Sequence, residues 1–134
     1  MNEALIDTDI LSYYFKGDRK VFAKFEEYLS TYEFINISII TYFEILGGLK
    51  HKDAQNQIKL FENFIDSNNL LYITKNSTAI SAEKYAEVVK KGKTTGTSDL
   101  LIAGIAIEHS LVVVTNNEKH FKNISGLKIE NWKR

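Results

Sequence analysis

The stretch from Thr97 to Thr115, "TSDLLIAGIAIEHSLVVVT", constrains this chain more than any other. It reads as a helix that is apolar on nearly every side, followed at once by a β-branched strand, Leu111 to Thr115. A helix without a polar face must be covered all round. A strand without polar alternation must be covered on both faces, which is the habit of a parallel sheet wrapped by helices. The chain supplies the cover: of its 134 residues, 44% are hydrophobic, enough for a substantial core. There is no proline, repeat or low-complexity linker, so residues 1–134 read as one domain.

The other segments fit the same plan. A strand spans about Glu3 to Asp7, and a helix follows to Phe15, stopped by Gly17. A second helix runs from Arg19 to about Tyr32, and "FINIS" from Phe34 to Ser38 reads as a buried strand. "SIITYFEILGGL" is a third helix, with Ser38 as its N-cap and Gly47–Gly48 near its end. Gln55 to Asp66 is a fourth helix, "LLYIT" from Leu70 a strand, and Ser77 to Lys91 a helix ending at Gly92. After Thr115 come a short turn carrying Phe121 and a last strand, Leu127 to Glu130. Strands that alternate with one or two helices predict a parallel α/β sheet with helices on both faces. Such sheets place ligands beyond the C-terminal ends of their strands.

Composition narrows the chemistry. There is no cysteine, which excludes disulfides and thiolate metal sites. No apolar run is long enough to span a bilayer and no secretory pattern opens the chain, so a soluble, cytoplasmic protein is expected. Net charge is zero but uneven. Residues 1–83 carry 8 Lys/Arg against 12 Asp/Glu, a net of −4, and residues 84–134 carry 9 against 5, a net of +4. Lys90, Lys91 and Lys93 are either a solvated helix end or a phosphate contact.

Three acids lie in apolar company. Asp7 ends the first strand, Glu44 sits within "IITYFEIL", and Asp99 opens the most apolar helix. Two have an ordinary explanation alone: Asp99 is a first-turn carboxylate behind a Thr97 cap, Glu44 a narrow exposed stripe. Asp7 is harder to dismiss, because strands entering a helix-covered sheet are usually continuous apolar runs. Together they predict three carboxylates converging at one end of the sheet. Their repulsion raises their pKa values unless a cation neutralises them. Oxygen ligands without His or Cys select Mg²⁺ or Mn²⁺, which serves phosphodiester hydrolysis by metal-activated water. His51, His109 and His120 show no metal spacing and read as non-catalytic.

"LIDTDIL", "YFEILGGL", "TSDLLIAGIAIEHSLVVVTNN" and "HFKNISGLKIENW" resemble, in order and over nearly the whole chain, the blocks of PIN-domain nucleases, and within them the VapC toxins of type II toxin–antitoxin pairs. The resemblance implies a three-layer α/β/α fold. Its five-stranded parallel sheet would have the order 3-2-1-4-5, with about seven helices. It implies a Mg²⁺- or Mn²⁺-dependent endoribonuclease acting on tRNA or ribosomal RNA, inhibited by a VapB-type antitoxin. Carried over by position, the family's acids match Asp7, Glu44 and Asp99. Its fourth acid is replaced by Asn117, which removes one charge and puts a second metal in doubt. Asp9 reads as a residue that caps or opens the first helix rather than a metal ligand. Thr8, Ser98 and Thr115 are expected to orient ligands or waters. Aromatic residues of the first four helices are mostly core, with a few left for a homodimer partner.

Two decoys fail. "GKT" at Gly92–Thr94 lacks the preceding strand and the first glycine of a phosphate-binding loop. A haloacid-dehalogenase reading of "DTD" needs an acidic pair after Thr115, and no Asp remains there. The rival that survives is a catalytically degenerate PIN-like module that binds RNA or protein without cleaving.

Overall fold

The computed structural model describes all residues from Met1 to Arg134. Five strands form one parallel sheet: β1 (Ala4–Ile6), β2 (Asn36–Ser38), β3 (Asn69–Leu71), β4 (Val112–Val114) and β5 (Ile129–Glu130). Their order is β3-β2-β1-β4-β5, as expected. β1 lies at the centre and pairs with β4 in register, Ala4 beside Val112, Leu5 beside Val113 and Ile6 beside Val114.

Seven helices cover the sheet: α1 (Thr8–Phe15), α2 (Arg19–Leu29), α3 (Ile39–His51), α4 (Gln55–Asp66), α5 (Lys75–Lys90), α6 (Thr97–Glu108) and α7 (Glu118–Phe121). Successive strand residues face opposite sides, and the core divides accordingly. Ala4, Ile6, Val112 and Val114 join a cluster with Ile10, Leu11, Val21, Phe25, Tyr28 and Phe61 from α1, α2 and α4. Leu5 and Val113 join a second cluster with Ile102, Ala103, Ile105 and Ala106 of α6, and with Phe121 of α7. These are the two outer layers required by strands that are apolar throughout. No helix is long and apolar enough to cross a membrane.

Several boundaries differ from the sequence reading, each for a local reason. The strands are only two or three residues long, and at or just past the ends of β1 and β2 the chain turns into helix caps. Ser38 caps α3 by accepting from the Thr41 N–H, and Asp7 caps α1. α2 ends at Leu29 rather than Tyr32, because the Ser30 hydroxyl takes the Glu27 carbonyl and a turn follows. α5 starts at Lys75: Thr74 and Ser77 cap each other, which puts Ser77 inside the first turn. α3 runs through Gly47 and Gly48 to His51. α6 is capped by Gly96 without a side-chain bond, so Thr97 is its first residue and not its cap.

Candidate active site

All strands of a parallel sheet end on the same edge, so the residues just after β1 and β4 come together. The N–H of Asp7 donates to the Val114 carbonyl at 2.9 Å, which ties the two exits. The Asp7 side chain is buried, with 5% of the residue exposed. Its Oδ1 accepts from the Thr8 N–H at 2.9 Å, and its Oδ2 accepts from the Thr115 hydroxyl at 2.8 Å. Even so, its pKa is pushed from 3.8 up to about 7. Burial is the main cause and the charge of Asp9 the next; the Thr115 and Thr8 bonds pull the other way, and Asp99 adds repulsion.

Asp9 is a member of this cluster and not merely the opening of α1. Its Oδ1 accepts from the Ile10 N–H at 2.7 Å and its Oδ2 from the Asn116 N–H at 3.0 Å. Burial raises its pKa against those bonds. The residue that caps α1 is Asp7. Glu44 is exposed on the second turn of α3. Its Oε1 accepts from the Thr8 hydroxyl at 2.6 Å, and Thr8 Oγ1 stands 2.9 Å from Thr41 Oγ1. Asp99, in the first turn of α6, meets His120 Nδ1 at 3.2 Å through its Oδ2.

The expected convergence therefore takes a looser form. No three Asp, Glu or His side chains enclose a single point with metal-ligating geometry. Like charges repel, and each acid has found its own donor: Thr115 and Thr8 for Asp7, Asn116 for Asp9, Thr8 for Glu44, His120 for Asp99. Asn117 contributes through its backbone. Its N–H donates to Thr115 Oγ1 at 3.0 Å and its carbonyl accepts from the His120 N–H at 3.0 Å. The Thr8 and Thr115 hydroxyls each donate to an acid, Glu44 and Asp7. Ser98 is exposed at the start of α6 and has no such bond, and Lys90, Lys91 and Lys93 are exposed around the end of α5.

Sequence reasoning set His120 aside because it looks for His partners at short spacing. Asp99 and His120 are 21 positions apart and meet only through the packing of α7 on α6. Thr41 and Asn116 were missed for the same kind of reason: one acts through a hydroxyl pair, the other through a backbone N–H.

A model of the PIN domain matches residues 4–127, nearly the whole chain. The chain belongs to the PIN-domain family. Among PIN proteins it is similar to ribonuclease VapC2 of Rickettsia felis, 34% identical over 130 residues and 96% of each chain. The tRNA(fMet)-specific endonuclease VapC of Salmonella typhimurium is 35% identical over 97 residues, 72% of this chain and 74% of that one. The DNA-bound VapBC structure from Salmonella typhimurium superposes with a TM-score of 0.86 at 30% identity, over 98% of this chain and 99% of that one. VapBC2 from Rickettsia felis, bound to a promoter DNA fragment, gives 0.85 at 32%, over 96% and 98%. This PIN domain is an endoribonuclease of the VapC toxin type.

Proposed function

We propose that the chain hydrolyses phosphodiester bonds of tRNA or ribosomal RNA at the Asp7–Asp9–Asp99 cluster, with Glu44 and Asn117 at its margin, and depends on Mg²⁺ or Mn²⁺. One observation carries this reading. Asp7 lies buried at the exit of the central strand with its pKa pushed up to about 7, and two further aspartates contribute to the rise. A carboxylate so placed is under electrostatic stress that a cation relieves. The donors are all oxygens, which suits a hard divalent ion.

The residues divide the work as follows. Asp7 and Asp99 would hold the ion, with Asp9 and Glu44 adding charge close by. The bound ion would supply Lewis acidity toward a phosphate oxygen and a nucleophile at neutral pH. Thr115 and the Thr8 N–H hold the Asp7 carboxylate at a fixed angle, and the Thr8 hydroxyl does the same for Glu44. Asn117 retains an amide oxygen where the family has an acid. Lys90, Lys91 and Lys93 hold the RNA backbone by charge.

The partner in this reading is a VapB-type antitoxin in the cytoplasm, where an unchecked ribonuclease would be harmful. A groove of about 530 Å³ between α1, α3 and α4 supports it. Phe15, Ile45, Leu49, Leu60 and Phe61 line it, and it opens onto Thr8 and Glu44. A peptide lying there would reach the acids with an Arg or Lys side chain. The toxin is proposed to work as a homodimer.

The test is cleavage of total tRNA and ribosomal RNA by purified protein. Asp7→Asn and Asp99→Asn should each lose at least ~100-fold in rate, the scale for a strong electrostatic contributor. EDTA should stop the reaction, Mn²⁺ should restore it, and the products should carry 5′-phosphate and 3′-OH ends. Near-normal cleavage by Asp99→Asn, or 2′,3′-cyclic phosphate ends formed in EDTA, would refute the assignment.

A further inference from the structure

We propose that His120 is a positioning residue that fixes the Asp99 carboxylate for cation binding, an inference that rests on the metal-binding reading of the cluster. The other aspartates are each held by two donors, Asp7 by Thr8 and Thr115, Asp9 by Ile10 and Asn116. Asp99 has one direct partner, the imidazole of His120 at 3.2 Å. It stands on the third residue of α6, so its backbone is rigid while its carboxylate rotates about two bonds. A single hydrogen bond selects among those rotations. It engages Oδ2 and leaves Oδ1 without a donor from the chain.

His120 is itself well placed to act as an anchor. It belongs to α7, a single helical turn that would be unstable alone. Phe121 next to it is 1% exposed and packs in the cluster that holds Leu100 and Ile102 of α6. The His120 N–H donates to the Asn117 carbonyl at 3.0 Å. The imidazole therefore faces Asp99 because its helix and α6 share one core. The ring is half exposed, and no other bond of its side chain explains why it points there. A donor behind a metal-binding carboxylate typically changes metal affinity by 10–100-fold when removed.

The experiment is calorimetric titration of Mn²⁺ into the full chain and its variants, with RNA cleavage measured across Mn²⁺ concentration and thermal unfolding measured without metal. His120→Ala should weaken Mn²⁺ binding by roughly 10-fold or more. Its cleavage rate should recover toward the wild-type value at saturating Mn²⁺, and its melting temperature without metal should be unchanged. His120→Asn should bind Mn²⁺ within about threefold of wild type, because its amide N–H can occupy the place of Nδ1–H. Wild-type affinity in His120→Ala, or equal losses in the Ala and Asn variants, would overturn the positioning role. Asp7→Asn runs in parallel. If it binds Mn²⁺ like the wild type, the metal-binding reading fails and takes this inference with it. If it loses binding while His120→Ala does not, only the inference falls.

Discussion

Asp7 shows how a single residue carries both a structural and a chemical role. As N-cap of α1 it satisfies an orphan N–H, and as the exit of β1 it is buried behind Thr115. The two roles conflict electrostatically, and the conflict appears as a pKa raised from 3.8 to about 7. A raised carboxylate pKa means that between these values the folded chain binds more protons than the unfolded one. Stability therefore falls as pH rises from about 4 toward 7, by up to the order of 4 kcal/mol from this residue. Asp9, also raised, acts in the same direction. Without metal the protein should melt at a higher temperature at pH 5 than at pH 7.5, and Asp7→Asn should flatten most of that difference. The half-buried acids Asp18, Glu87 and Glu108, whose pKa values are lowered, oppose the trend only at more acidic pH, and comparison with the Asn variant cancels them. Added Mn²⁺ should raise the melting temperature more at pH 7.5 than at pH 5, because it binds the deprotonated form. A wild-type profile that matches Asp7→Asn would show that Asp7 is not under the stress described.

Elements were legible in the sequence wherever burial left a one-sided or all-sided apolar pattern. α4 came out at Gln55–Asp66 as read, and the alternation of β1, β4 and α6 in the order expected follows from runs with no polar face. What escaped is chemistry that acts across elements. Gly104 is the clearest case: within α6 it looks like one small residue among several. In the fold it lies against α5, where a Cβ would collide with the Ser81 hydroxyl and the Ser77 carbonyl. Ser81 Oγ donates to the Leu100 carbonyl of α6 at 2.8 Å or to the Ser77 carbonyl at 3.0 Å, so both backbones approach this spot closely. Gly104→Ala gains helix propensity of about 1 kcal/mol yet must push two closely packed helices apart. Net destabilisation of roughly 1–3 kcal/mol is expected in denaturant unfolding. A more stable variant would mean that the α5–α6 approach is adjustable. The same blindness hid His120 and Thr41: no local spacing connects α6 to α7, or α1 to α3, although the acids were visible through their apolar flanks.

At the scale of the whole molecule, the C-terminal residues bind the sheet's far edge back to the site. Beyond β5, Trp132 is buried against Phe25 and Tyr28 of α2, with ring centroids 5.2 and 5.6 Å apart. Lys133 pairs with Asp18, the cap of α2, and lies over the Tyr13 ring at 4.8 Å. Just before them, the Asn131 amide donates to Asn116 Oδ1 at 3.0 Å and to Glu118 Oε2 at 2.9 Å, and Arg134 pairs with Glu118. Asn116 is the residue whose N–H holds Asp9. The last four residues thus serve two separable purposes: an aromatic anchor in the core, and a polar clamp on the loop that leads from β4 to α7. Substitution should separate them. Trp132→Ala removes a buried indole and should cost about 3–5 kcal/mol in unfolding free energy. Asn131→Ala leaves the indole in place and removes only exposed and half-buried bonds, among them the one that Asn131 Oδ1 accepts from the Lys133 N–H, worth about 1 kcal/mol in stability. It should lower the cleavage rate more than its stability suggests, by roughly 10-fold, because small displacements of site residues are amplified in rate. The two variants are compared by denaturant unfolding and by RNA cleavage at a temperature where both remain folded. If Asn131→Ala keeps wild-type activity, the clamp is only structural, and the loop from Thr115 to Glu118 holds its shape through Thr115 and Asn117 alone.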